Sequence, residues 1–157
     1  MSAKASDNRI AKILMPTDGS PLSLKAEALA VAAAKAFGAE LVFVHVMPTA
    51  LYLMPRSEQN IALEITKWKS CPDPDALVAK VYLQNAIVNA QRSGLTAKAK
   101  LYRTTSSIRE AICKIAKDLS ADLIVLGTRG TSARRVIMGS VTAGVVTYAD
   151  CPVLVVR

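Results

Sequence analysis

Ile10-Ala11-Lys12-Ile13-Leu14-Met15-Pro16-Thr17-Asp18-Gly19-Ser20-Pro21, followed by Leu41-Val42-Phe43-Val44-His45-Val46, decides the fold class. Both apolar runs are short and nearly continuous, as expected of strands buried on both faces of a parallel sheet. Between them Ser20 is a natural N-cap, Pro21 suits the first helical position, and Gly38 supplies the stop after an Ala- and Leu-rich helix. Strand, helix and strand in so few residues make a βαβ unit.

Outward from this unit the alternation continues. Asp73 and Pro74 open a second helix that Gly94 ends, and Ala97, Ala99 and Leu101 alternate with Lys98, Lys100 and Tyr102 in a half-exposed strand. Ser107-Ile108-Arg109-Glu110 has capping-box spacing and starts a helix running to about Leu119. Asp122 to Leu126 reads as a buried strand ending at Gly127, a last helix starts near Gly139-Ser140, and Val153 to Val156 is the last strand. Five strands alternating with four main helices predict an α/β three-layer sandwich, Rossmann-like, with a mainly parallel sheet and helices on both faces. The expectation is one domain over 1–157, with a polar lead at 1–9 and an irregular loop and short-helix insertion at 49–74.

Composition narrows the class. A chain that is 52% hydrophobic and 20% charged can build a core, which excludes a disordered tail. Three widely spaced cysteines, Cys71, Cys113 and Cys151, read as packing thiols in a reducing compartment. Met1 to Arg9 has no apolar leader pattern, and the apolar stretch from Ala28 to Val46 is broken by Lys35, Gly38, Glu40 and His45. A cytoplasmic protein with no membrane partner is therefore expected. The formal charge of +8 favours anionic ligands, but the basic residues are scattered and aromatics are only 4%, so no nucleic-acid partner is expected.

The chemistry concentrates after the fourth strand. Gly127-Thr128-Arg129-Gly130 leaves its C-terminal end, and Gly139-Ser140-Val141-Thr142 opens the next helix. Glycines allow close backbone approach, the first helical N–H groups point outward, and Ser140, Thr142 and Arg129 add donors or charge: a phosphate site, or a plain Gly-rich turn with surface arginines. A P-loop lysine, a nucleophile elbow and paired metal-ligand motifs do not occur in the sequence, so a binding protein is favoured over an efficient enzyme.

These residues resemble the universal stress protein (UspA) family. The likeness runs over roughly residues 10–157 and rests on Ile13 to Ser20, on Gly127 to Ser140 and on Cys151-Pro152-Val153-Leu154-Val155-Val156. It implies a five-stranded parallel sheet, a dimer, and in the ATP-binding branch a G-x2-G-x9-G-[ST] loop around phosphates. Carried over by position, Gly127, Gly130, Gly139, Ser140 and Thr142 hold phosphate or ribose, with Arg129 and Val141 in the same run. Pro16, Thr17 and Asp18 end the first strand, Asp18 facing the nucleoside, and Val46 meets adenine through its backbone. First and fourth strands side by side make Asp18 and Gly127 flank the ligand crevice. The implied ligand is ATP, AMP or ADP, with Mg2+ as a candidate companion. Eight residues, Thr131 to Met138, stand where the signature has nine, and Thr104-Thr105-Ser106 stands where relatives commonly carry a Gly.

Single residues have rival readings. Asp18 is either a ligand contact or a turn residue bonding its own backbone. His45 reads as a core residue, Trp68 as a packing anchor, Cys151 as a small buried turn residue, and Lys98, Lys100 and Arg103 as a solvated edge. An apolar edge strand invites pairing with a second copy, so Val153–Val156 is the expected homodimer seam. The rival to nucleotide binding is a dimer acting only through protein partners.

Overall fold

The computed structural model describes residues 9–49, 73–128 and 138–157. Its strands are β1 (Lys12–Pro16), β2 (Glu40–Pro48), β3 (Ala97–Thr104), β4 (Leu123–Gly127) and β5 (Val153–Val156). Its helices are α1 (Pro21–Phe37), α2 (Pro74–Arg92), α3 (Ile108–Asp118) and α4 (Ser140–Tyr148). The five strands form one wholly parallel sheet in the order β3-β2-β1-β4-β5. The insertion expected at 49–74, with Trp68 and Cys71, falls almost entirely outside the described residues, as do Arg129, Gly130 and most of the loop before Gly139.

Strand periodicity separates two cores. Ile13, Met15, Leu41, Phe43, Leu123 and Val125 pack against α1 and α2 on one face. Leu14, Val42, Val44, Val46, Ile124 and Leu126 pack on the other with Ile112, Ile115 and Val145 from α3 and α4. Because successive side chains point to opposite faces, a central strand covered on both sides must be apolar at every position, which is why β1 reads as an unbroken run.

The end signals act as their chemistry requires. Ser20 Oγ accepts the Ser23 N–H at 3.2 Å, Asp73 Oδ1 accepts the Asp75 N–H at 3.0 Å, and Ser107 Oγ accepts the Glu110 N–H at 3.4 Å. Gly38 takes φ 63° at the end of α1, a conformation that costs glycine little. β3 and β5 are the two edges. On β3, Ala97 and Leu101 are half-buried and Tyr102 packs on the opposite core, whereas Ala99 is exposed. β2 extends to Pro48, beyond the expected apolar run, because it pairs with β3 as far as Thr104. β4 begins at Leu123, not Asp122, since the Asp122 carboxylate accepts the Ala11 and Lys12 N–H groups, each at 2.9 Å, and ties the start of β1.

Candidate functional site

Order 3-2-1-4-5 makes the chain leave the sheet in opposite directions around β1, opening a crevice beyond the carboxyl ends of β1 and β4. A cavity of about 450 Å³ lies there, within the ~300–1,000 Å³ usual for small-molecule sites. Val46, Leu126 and Val141, with Ile108 and Ile112 from the start of α3, make its apolar wall. Thr17, Asp18, Ser23 and His45 make its polar side.

Of the residues singled out from the sequence, Pro16, Thr17, Asp18, Val46, Gly127, Val141 and Thr142 all line this cavity. Gly139 and Ser140 are not among the lining residues: Ser140 is exposed, and the Gly139 N–H donates to the Thr128 carbonyl at 2.8 Å. Thr142 departs from its expected role as a donor to ligand. Its hydroxyl donates to the Gly127 carbonyl at 2.9 Å and locks α4 onto the end of β4. A Cβ on Gly127 would stand 3.1 Å from the Leu22 carbonyl oxygen, so the glycine lets α1 and β4 approach each other here.

The electrostatic opening is the start of α4. Its N-cap, Gly139, provides no side-chain acceptor, unlike Ser20, Asp73 and Ser107 on the other helices. The first turn of α4 has N–H groups without intrahelical partners and carries the positive end of the helix dipole, and Val141 and Thr142 of that turn line the cavity. Asp18 takes its turn role and also stands at the cavity edge. Its Oδ1 accepts the Ser20 N–H at 2.9 Å, closing a tight turn, and the exposed residue still borders the cavity.

His45 corrects its expectation as a core residue. It is half-buried, borders the cavity, and its Nδ1 lies 2.7 Å from the Thr17 carbonyl oxygen. A carbonyl only accepts, so Nδ1 carries the proton. Tyr82 packs against the His45 ring and covers Gly19 so closely that a Cβ there would meet the tyrosine ring at 2.5 Å.

Sequence reading also missed Ile108, Ile112 and a buried polar cluster. Glu27 is only 5% exposed and accepts a hydrogen bond from the Thr17 hydroxyl, which also contacts Ser23 Oγ at 2.7 Å. The signals were present: Ile108 and Ile112 are one turn apart after the Ser107 cap, and Ser23 and Glu27 share a helix face with Ala30. Burial pushes the Glu27 carboxyl above its ordinary 4.5; the Thr17 bond opposes this and the Asp18 charge reinforces it. A carboxyl raised in the folded state contributes stability below 4.5 that is lost as pH rises through its folded value. The melting temperature of Glu27→Gln relative to the native protein should therefore climb between acid and neutral pH. A constant difference in thermal melts would contradict this.

Among the described residues there is no cluster of three or more His, Cys, Asp or Glu suited to a metal, and no helix long and apolar enough to cross a membrane. Cys113 and Cys151 are half-buried free thiols, both pushed up by burial.

The universal stress protein family model matches residues 9–157. The chain belongs to the universal stress protein family. A universal stress protein of Methanocaldococcus jannaschii is 30% identical over 152 residues, covering 96% of this chain and 84% of the relative. One from Thermus aquaticus is 33% identical, covering 92% and 97%. The solved structure of UspA from Lactobacillus plantarum superposes with a TM-score of 0.75 at 27% identity, covering 95% and 99%. More distant universal stress proteins share the fold and have been solved with ligands. One from Archaeoglobus fulgidus is in complex with dAMP (TM-score 0.69, 19% identity, 94% and 98% covered) and one from Arabidopsis thaliana has AMP bound (0.62, 14%, 92% and 90%). A further universal stress protein, at TM-score 0.68 and 23% identity with 95% and 98% covered, is in complex with cAMP.

Proposed function

We propose that this universal stress protein binds an adenine nucleotide in the cavity beyond β1 and β4 and works as a cytoplasmic stress-response or signalling protein, not as an efficient enzyme. One observation carries the reading: an apolar slot large enough for a purine leads to a helix N-terminus with no side-chain cap. The adenine ring lies against Val46 and Ile108, the ribose faces Asp18, and the phosphate approaches the first turn of α4 beside Gly127. Arg129, Gly130, Gly139 and Ser140 complete the phosphate grip. A di- or triphosphate would bring Mg2+ with it, and the ion would neutralise part of the phosphate charge.

Calorimetric titration of desalted protein with AMP and ATP, each with and without Mg2+, tests this. Micromolar binding that favours ATP with Mg2+ supports a triphosphate loop despite its eight-residue span. Equal binding of AMP restricts recognition to the nucleoside and first phosphate. Heat from neither ligand leaves the partner-only dimer as the better account.

The edge position of β5 supports the homodimer reading, because Leu154 is 38% exposed on a strand with one unpaired side. Sedimentation at micromolar concentration should give twice the chain mass, and Leu154→Lys should return it to the monomer. A monomeric native protein would count against the seam.

A further inference from the structure

We propose that Ser23, Thr17 and Glu27 form a proton-linked switch that turns the Ser23 hydroxyl from an acceptor into a donor toward the ligand. The proposal rests on the nucleotide reading of the same cavity and adds its regulation.

The geometry is a chain of three side chains from the buried interior to the cavity. Glu27 lies at the inner end, Thr17 Oγ1 bridges, and Ser23, which borders the cavity, lies at the outer end. Two backbone donors are fixed on the chain: the Gly19 N–H on Thr17 Oγ1 and the Asp18 N–H on Ser23 Oγ, each at 3.3 Å. A hydroxyl has one proton and two lone pairs, which restricts the chain to two proton orders. With Glu27 ionised, Thr17 donates to the carboxylate, Ser23 donates to Thr17, and only a Ser23 lone pair remains for the cavity. With Glu27 protonated, its O–H donates to Thr17, Thr17 donates to Ser23, and the Ser23 proton turns to the cavity. Either hydroxyl of the Thr17–Ser23 pair can be the donor, so both orders use the same heavy-atom positions.

The surroundings make Glu27 the group that sets the order. Burial and the Asp18 charge favour its neutral form. His45 meets Thr17 from β2 through the carbonyl, and α2 brings Tyr82 beside His45, with Lys80 exposed. β4 and β5 contribute no titratable side chain, Lys12 and Glu40 stand at the opposite ends of their strands, and Lys25 on α1 is exposed. The ring nitrogens and the ionised phosphate of an adenine nucleotide only accept hydrogen bonds, and its ribose hydroxyls accept as well as donate. The donor state of Ser23 is the one that fits them, so ligand and proton bind together.

The experiment combines calorimetry of AMP and adenosine from acid to neutral pH with carboxyl and amide NMR titrations, on the native protein and on Glu27→Gln and Thr17→Val. Affinity for both ligands should rise about three- to tenfold as pH falls through the Glu27 titration, the value of one hydrogen bond. Adenosine excludes the ligand phosphate as the source. In Glu27→Gln the same rise should vanish, with affinity near the acid plateau throughout. In the ligand-free native protein the Asp18 and Gly19 amide signals should follow the Glu27 carboxyl. Thr17→Val, which keeps the carboxyl and cuts the chain, should uncouple the Asp18 amide from it. A pH dependence that persists in Glu27→Gln has another source and overturns the switch. So does an Asp18 amide that still follows Glu27 in Thr17→Val. If neither ligand binds, the nucleotide reading falls, and the amide titrations alone decide whether the chain reverses.

Discussion

Val141→Glu should weaken AMP binding about 100-fold while leaving the fold intact. Val141 sits in the first turn of α4 and lines the cavity where the proposed phosphate arrives. Like charges ~5 Å apart at an effective dielectric of ~20 repel by about 3 kcal/mol, which corresponds to that loss. An acidic residue in a first helical turn is favourable by ~0.3–1 kcal/mol, which offsets part of the apolar contact given up. Binding and stability therefore separate in this variant. Val141→Gln has the same bulk without charge and should lose only a small part of the affinity. Calorimetry of both variants beside their thermal melts measures the difference. If Val141→Glu bound AMP like the native protein, the phosphate would not lie at α4.

Phe43→Ala should cost ~3–5 kcal/mol of stability, the range for truncating a large buried aromatic. Phe43 is wholly buried on β2, opposite Met15 of β1, under α1 and α2. The total stability of such domains is ~5–15 kcal/mol, so this one change approaches the limit of folding. Urea unfolding should show a much lower midpoint with nearly the same slope. Phe43→Leu keeps most of the volume and should lose less than half as much. A small effect of Phe43→Ala would mean that the α1–α2 layer closes over the gap.

Most of the architecture was legible because its signals are local. Ser20, Asp73 and Ser107 cap their helices, Gly38 takes the left-handed turn, and the nearly continuous apolar runs of β1, β2 and β4 mark strands covered on both faces. The site was legible in outline, since Asp18, Val46 and Gly127 stand at strand ends that a doubly wound sheet brings together. Its finer assignments were not. Thr142 looks like a ligand donor in sequence, yet whether its proton goes to ligand or to the Gly127 carbonyl depends on how α4 docks on β4. His45 looks like core in an apolar strand, yet it is half-buried, borders the cavity and meets the Thr17 carbonyl.

By itself, then, the sequence determined the order of elements, their caps, the parallel sheet and the family likeness, all of which depend on residues near one another along the chain. Tertiary structure alone decided the partners across it. It brought Glu27 beneath Thr17, Tyr82 over Gly19, and Ile108 and Ile112 into one cavity wall with Val46. The reason is physical: periodicity fixes which face a side chain takes, but the atom it meets there is set by the packing of a second element, whose position no local pattern encodes.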